Sequence, residues 1–192
     1  QYIHIEFDLS NTSEVKNLYL EKLKPIGPIY GLVNNAAIAY DDLATNASLE
    51  RIEIMFQVNV FSPMILTKYI IRDMLLNGTK GSIVNISSIS ASTGYKGLSM
   101  YGATKGSLES FSKGIAREWG SKGIRSNCVS PGFMETRMSS SLSAEQKERI
   151  YRRTCLRSAT EERSVASTVL FLLSEDASSI TSQSFVVDCG TI

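Results

Sequence analysis

The chain has 192 residues, 43% of them hydrophobic and 20% charged, the size and balance of one globular domain spanning residues 1–192. Twenty basic residues against nineteen acidic ones leave a formal charge of +1, so no basic surplus points to nucleic acid or to an anionic membrane surface as partner. Three scattered cysteines argue against a disulfide framework and for a reducing, cytoplasmic compartment, and a lone histidine, His4, leaves no basis for a histidine metal site or a Ser-His-Asp triad.

Residues 2–7 alternate in the manner of a strand that ends at Asp8. Residues 13–24 place Val15, Leu18, Tyr19 and Leu23 at helical spacing, with Asn11 or Thr12 as cap, and the stretch between Pro25 and Pro28 breaks that helix. Residues 29–33 form a short apolar strand followed by Asn34-Asn35-Ala36-Ala37. From Ser48, a cap, a long helix runs to about Asn77 with a kink expected at Pro63. Its most apolar part, residues 61–76, is interrupted by Lys68, Arg72 and Asp73, which argues against a membrane span. Residues 82–86 are a continuous apolar strand, and residues 100–119 a helix in which Gly102 and Gly106 permit close packing. A strand over 123–130 stops at Pro131-Gly132, a charged helix covers 143–153, an amphipathic helix covers 160–173, and a last strand, 185–187, ends at Asp188. Short apolar strands alternating with helices predict a parallel sheet covered on both faces.

Ligands of such sheets bind beyond the carboxyl ends of the strands. Here those ends carry Asp8, Asn34-Asn35-Ala36-Ala37, Ser87-Ser88 and Ser130-Pro131-Gly132. Turn chemistry alone accounts for any one of these loops. Tyr101 lies thirteen residues after Ser88, and Lys105 follows Tyr101 by one helical turn, which puts a phenol and an ammonium on one helix face. A free phenol has a pKa of roughly 10, too high for a base at neutral pH. The neighbouring Lys105 is expected to lower it. Ser88 would hydrogen-bond the substrate oxygen while Tyr101 exchanges its proton.

With Asn34-Asn-Ala-Ala37, Asn59 in Gln57-Val-Asn-Val60, the Ser88/Tyr101/Lys105 set, Asn127, Pro131-Gly-Phe-Met-Glu-Thr136, Leu170-Phe-Leu-Leu-Ser-Glu-Asp-Ala177 and Val186-Val-Asp-Cys-Gly190, the chain resembles the short-chain dehydrogenase/reductase family, most of all its β-ketoacyl-carrier-protein reductases. The resemblance implies a Rossmann-like doubly wound parallel sheet with helices on both faces and an NAD(P)-dependent oxidoreductase interconverting a ketone and a secondary alcohol. It implies NAD or NADP as cofactor, a small carbonyl or alcohol substrate, and assembly as a homotetramer or dimer. By the same resemblance Ser88 orients the substrate, Tyr101 is the acid/base, Lys105 also binds the nicotinamide ribose, and Asn59 holds a water that links Lys105 to solvent. Asp8 would lie by the adenine, Asn35 and Ala36 along the cofactor, and Pro131, Gly132 and Thr136 at its nicotinamide end. Simpler roles compete: Asp8 and Thr136 as helix caps, Asn59 as an amide filling a helix defect.

Two features depart from the family pattern. The glycine-rich turn that holds the cofactor pyrophosphate is absent, together with the first two strands, so the strand at 29–33 is expected to show an apolar edge. Either that segment belongs to the natural protein, or the chain repacks or associates across the edge. Cys189 and Ser182 stand where the family commonly has glycine. A non-catalytic remnant of the same fold that binds no cofactor is the competing reading. An extended sugar-nucleotide epimerase or dehydratase is a weaker one, since little chain follows Pro131 to form a sugar-binding domain. The segment 133–153 should form a lid, with Met134, Met138, Leu142 and Tyr151 either lining a pocket or packing it.

Overall fold

The computed structural model describes residues 2–140 and 142–192. Its central strand, Ser82–Ile86, is buried at all five positions, polar Ser82 and Asn85 as well as apolar Ile83, Val84 and Ile86, as a strand covered on both faces must be. Four strands, β1 (Gly31–Asn34), β2 (Ser82–Ile86), β3 (Arg125–Pro131) and β4 (Ser184–Val187), form one sheet in the order β1-β2-β3-β4. Every pairing is parallel, and one register row runs Asn34, Asn85, Cys128, Ser184 across the sheet.

The helices are α1 (residues 12–26), α2 (Leu49–Asn77), α3 (Ser99–Trp119), α4 (Ala144–Tyr151) and α5 (Glu162–Leu173). Strand alternation divides the core between two faces. Ile83 packs with Tyr19, Ile70, Ile71, Met74, Ile115 and Ile124 from the α1, α2 and α3 side. Val84 and Ile86 pack with Val129, Val165, Leu172 and Ala177 on the α5 side. This is the doubly wound, Rossmann-like α/β arrangement the sequence predicts, and parallel pairing sends all four carboxyl ends to one edge.

Most expected elements lie within a few residues of their predicted bounds, and the differences have physical causes. Residues 2–8 form no strand, because a strand needs a partner and the sheet ends at β1. The exposed edge is apolar, as expected, with Tyr30 and Val33 40% and 38% exposed. α1 is helical but irregular: a 3₁₀ turn, one α turn, a π segment at Leu18–Leu23 and a second 3₁₀ turn. Its first residue has no side-chain cap, so neither Asn11 nor Thr12 serves as expected. Ser48 does cap α2, accepting from the Arg51 N–H.

The kink expected at Pro63 takes the form of a π turn at Gln57–Phe61. Proline has no N–H to give the carbonyl four residues back, here Asn59, and a widened turn accommodates the misfit. α2 is long and apolar enough to cross a membrane by length and composition. It nevertheless packs against the sheet through Ile70, Ile71 and Met74, and its buried Asp73 accepts from the Tyr19 hydroxyl and the Ile29 N–H.

Ser182 and Cys189 have φ of +64° and +58°. Both are left-handed positions that favour glycine, which accounts for their standing where the family commonly has it. The two glycines of α3 differ. A Cβ on Gly102 would stand 2.7 Å from the Ser90 carbonyl oxygen, whereas one on Gly106 would meet nothing within 4 Å. The expected close packing therefore holds for Gly102 alone. Gly102→Ala should lower stability by about 1–3 kcal/mol, while Gly106→Ala should be neutral or stabilising by up to about 1 kcal/mol. Urea denaturation of the two variants checks the contrast.

Candidate active site

Tyr101, Lys105 and Glu109 occupy successive turns of α3 and face the segment that leaves β2. Lys105 is 2% exposed. Its Nζ donates to the Ile86 carbonyl at 2.7 Å and lies 5.6 Å from the centre of the Tyr101 ring. Among the described residues no carboxylate forms an ion pair with it. Ser88 opens a short 3₁₀ turn, Ile89–Ala91. Its hydroxyl accepts from the Ser90 N–H at 3.2 Å and the Ser90 hydroxyl at 3.0 Å, and it faces the Tyr101 phenol closely enough to lower its pKa.

The electrostatics differ from the sequence expectation. Burial pushes the Tyr101 phenol up to about 12, and the hydrogen bond from Ser88 pulls the other way without prevailing. Lys105 is not among the causes. Burial instead pulls the lysine down to about 8. Desolvation thus outweighs the charge–phenol attraction, and the site holds a neutral phenol beside an ammonium that is readily deprotonated.

Asn59, fully buried in the π turn of α2, joins this group indirectly. Its Oδ1 accepts from the Ile38 N–H at 2.9 Å, and its Nδ2 donates to the Ile38 carbonyl at 2.8 Å and to Thr104 Oγ1 at 3.1 Å. Thr104 in turn donates to the Tyr101 carbonyl at 2.7 Å. One amide therefore ties the loop after β1, which carries Asn35 and Ala36, to the turn that carries Tyr101. The simple role weighed for Asn59 is an amide satisfying a helix defect; the side-chain bonds of Asn59 go to Ile38 and Thr104, outside α2.

The structure thus brings Asn59, Ser88, Tyr101 and Lys105 together at the carboxyl edge of the sheet. Asn35 and Ala36 are exposed just beyond β1. Pro131 closes β3, and the Gly132 N–H donates to the Val187 carbonyl. Asp8 is exposed, with its Oδ1 taking the Ser10 N–H at 2.9 Å, a turn bond that lowers its pKa. Thr136 opens a turn closed by Ser139, whose hydroxyl takes the Thr136 N–H at 3.0 Å. For Asp8 and Thr136 the visible bonds are those of local turns. Within the expected lid, Tyr151 and Lys147 both bond Glu135, Phe133 stacks obliquely on Tyr151, and Met138 is exposed while Met134 packs against the α5-side core; Ser141 lies outside the described residues. No group of three metal-ligating side chains occurs among the described residues.

Two participants escaped the sequence reading. Thr104 is the link between Asn59 and Tyr101. Glu109 Oε1 takes hydroxyl bonds from Ser87, Ser130 and Ser184 at 2.7, 3.0 and 3.3 Å. The only sequence signal for Glu109 was its place one turn beyond Lys105.

Residues 1–191 match the family described as enoyl-(acyl carrier protein) reductase. The chain is 34% identical over 167 residues to carbonyl reductase [NADPH] 2 of Sus scrofa, covering 86% of this chain and 68% of that protein. It is 35% identical over 183 residues to the 3-oxoacyl-[acyl-carrier-protein] reductase FabG of Chlamydia pneumoniae, covering 95% and 73%. The chain belongs to the short-chain dehydrogenase/reductase family. Its fold superposes on 4-hydroxyisoleucine dehydrogenase complexed with NADH with a TM-score of 0.93 at 27% identity, over 97% of this chain and 78% of that one. It is accordingly an NAD(P)-dependent oxidoreductase by family.

The buried lysine generates a pH prediction. Lys105 has its pKa lowered from 10.5 to about 8, so between those values the unfolded chain binds a proton that the folded chain has released. Its contribution therefore makes stability rise with pH across that window, and below pH 8 the penalty for burying the ammonium is fully present. The melting temperature of the parent relative to Lys105→Met should climb between pH 8 and 10. A flat difference would contradict the burial effect.

Proposed function

We propose that this protein interconverts a ketone and a secondary alcohol, with Tyr101 exchanging the proton at the substrate oxygen. The observation that carries the reading is the grouping of buried Lys105 with half-buried Ser88 and Tyr101 at the carboxyl edge of a parallel sheet. A phenol held neutral by burial is suited to give its proton to the oxygen of a ketone being reduced. Ser88, which faces that phenol, would share the substrate oxygen with it and fix its position. Lys105 would bind the nicotinamide ribose and favour the phenolate once the proton has left.

NAD or NADP supplies the hydride when bound. The residues present fit the cofactor: Asn35 and Ala36 are open beyond β1, where they would pack along it, and at its nicotinamide end Gly132 and Thr136 follow Pro131, the last residue of β3. A Cβ at position 132 would stand 2.7 Å from Asp188 Cα, so only glycine allows the β3 and β4 ends to approach there. No glycine-rich turn suited to the pyrophosphate occurs in the sequence. Asp8 is assigned to the adenine side, and Asn59 to a water path leading from Lys105.

The resemblance to 3-oxoacyl-carrier-protein reductases and to a carbonyl reductase supports a small carbonyl substrate. Exposed Leu170, Phe171 and Val186 on α5 and β4, with Phe61 and Leu49 on α2, support a homotetramer or dimer. Three free thiols suit the cytoplasm.

Tyr101→Phe in the full-length protein should lower turnover by at least about 10²-fold and leave the circular dichroism spectrum unchanged. A panel of ketones and 3-oxoacyl thioesters, followed by NADH and NADPH absorbance, supplies the assay. Activity near that of the parent would remove Tyr101 from the acid/base role.

A further inference from the structure

We infer that Glu109 is a positioning residue for the Ser88/Tyr101 pair, acting through Ser87. The inference rests on the functional reading above, and the geometry behind it stands separately.

Three consecutive residues at the end of β2 face three residues one turn apart on α3. The Ile86 carbonyl takes the Lys105 ammonium, the Ser87 hydroxyl donates to Glu109 Oε1, and the Ser88 hydroxyl faces the Tyr101 phenol. The middle bond is the shortest hydroxyl contact on that oxygen, at 2.7 Å, and the same Ser87 hydroxyl lies 3.3 Å from the Lys105 carbonyl. Ser87 is 2% exposed and its N–H is spent on the Val129 carbonyl. Its side chain is therefore held from α3 and its backbone from β3. Ser88, the next residue, has no anchor to the sheet of that kind.

The same Glu109 oxygen takes Ser130 at 3.0 Å and Ser184 at 3.3 Å, and those two hydroxyls lie 3.0 Å apart. One carboxylate oxygen thus gathers a hydroxyl from the ends or rows of β2, β3 and β4 onto α3. Charged acceptors make stronger hydrogen bonds than neutral ones, which suits a single atom holding three donors. Without it, the Ser87–Ser88 backbone keeps the Val129 bond but loses the shorter of the two Ser87 contacts to the helix that carries Tyr101, leaving only the 3.3 Å contact to the Lys105 carbonyl. The substrate oxygen must sit between Ser88 and Tyr101, and a shift of about 1 Å in such a pair can cost 10²-fold in rate.

The test compares Glu109→Ala, Glu109→Gln, Ser87→Ala and Ser112→Ala. Ser112, on the same helix as Glu109, pairs with the Ser126 hydroxyl of β3 and not with Ser87, Ser88 or Tyr101, and so reports the cost of losing a buried hydroxyl bond. Glu109→Ala and Ser87→Ala should each lower kcat by about tenfold or more with little change in the KM for the nicotinamide cofactor. The double variant should be no worse than the poorer single one. Glu109→Gln, which keeps an acceptor, should recover most of the loss. Ser112→Ala should lower the melting temperature and keep kcat. Hydrogen exchange supplies a readout that needs no turnover: Glu109→Ala should speed exchange of the Ser87–Ser90 amides about tenfold relative to the amides of α3. Normal kcat in Glu109→Ala, or additive losses in the double variant, would overturn the positioning role. Unchanged exchange at residues 87–90 would overturn the anchoring, whether or not Tyr101 proves to be the acid/base.

Discussion

The arrangement turns on one costly interaction, the burial of the Lys105 ammonium against the Ile86 carbonyl. An unpaired cation inside a protein opposes folding, and it persists only where the surroundings hold it in place. Here that hold comes from a helix packed on the sheet at close range, which Gly102 permits by letting the Ser90 carbonyl approach. Placing Lys105 against the end of β2 brings Tyr101, one turn earlier, over Ser88. The electrostatic character of the site follows from the same burial: it lowers the lysine pKa and raises that of the phenol.

A second constraint is set by Pro63. By withholding an N–H from the Asn59 carbonyl it forces a π turn into α2, and that turn presents the Asn59 side chain to Ile38 and Thr104. The loop after β1 and the first turn of α3 are thereby fixed to one another. The elements that border the reacting groups are linked by polar side chains in a region where the sheet's own ladder has ended.

Much of this was legible in the linear chain, and the failures share a cause. The spacing of Ser88, Tyr101 and Lys105 located the site because helix periodicity is local. The strand at 82–86 was legible from its apolar Ile83, Val84 and Ile86, and the one at 123–130 from the Pro131-Gly132 that stops it, although β3 also buries Ser126, Asn127 and Ser130. Residues 2–7 misled because their alternation is real while their pairing depends on neighbours that the sheet does not contain. The direction of the Tyr101 shift was misjudged because sequence shows which charges are adjacent but not how much water is excluded from them. Thr104 and Glu109 were missed because their partners are remote in the chain, Asn59 being 45 residues from Thr104, and Ser87, Ser130 and Ser184 being 22, 21 and 75 from Glu109. The glycine-like backbones of Ser182 and Cys189 were foreshadowed only by comparison with the family pattern.

The most direct test of the central claim is the titration of the Lys105 side chain, followed by heteronuclear NMR of its ε-carbon and ζ-nitrogen with Lys105→Met for assignment. The account predicts a midpoint near 8. A midpoint at the ordinary 10.5 would show that the ammonium is solvated, and would contradict the burial from which the rest follows.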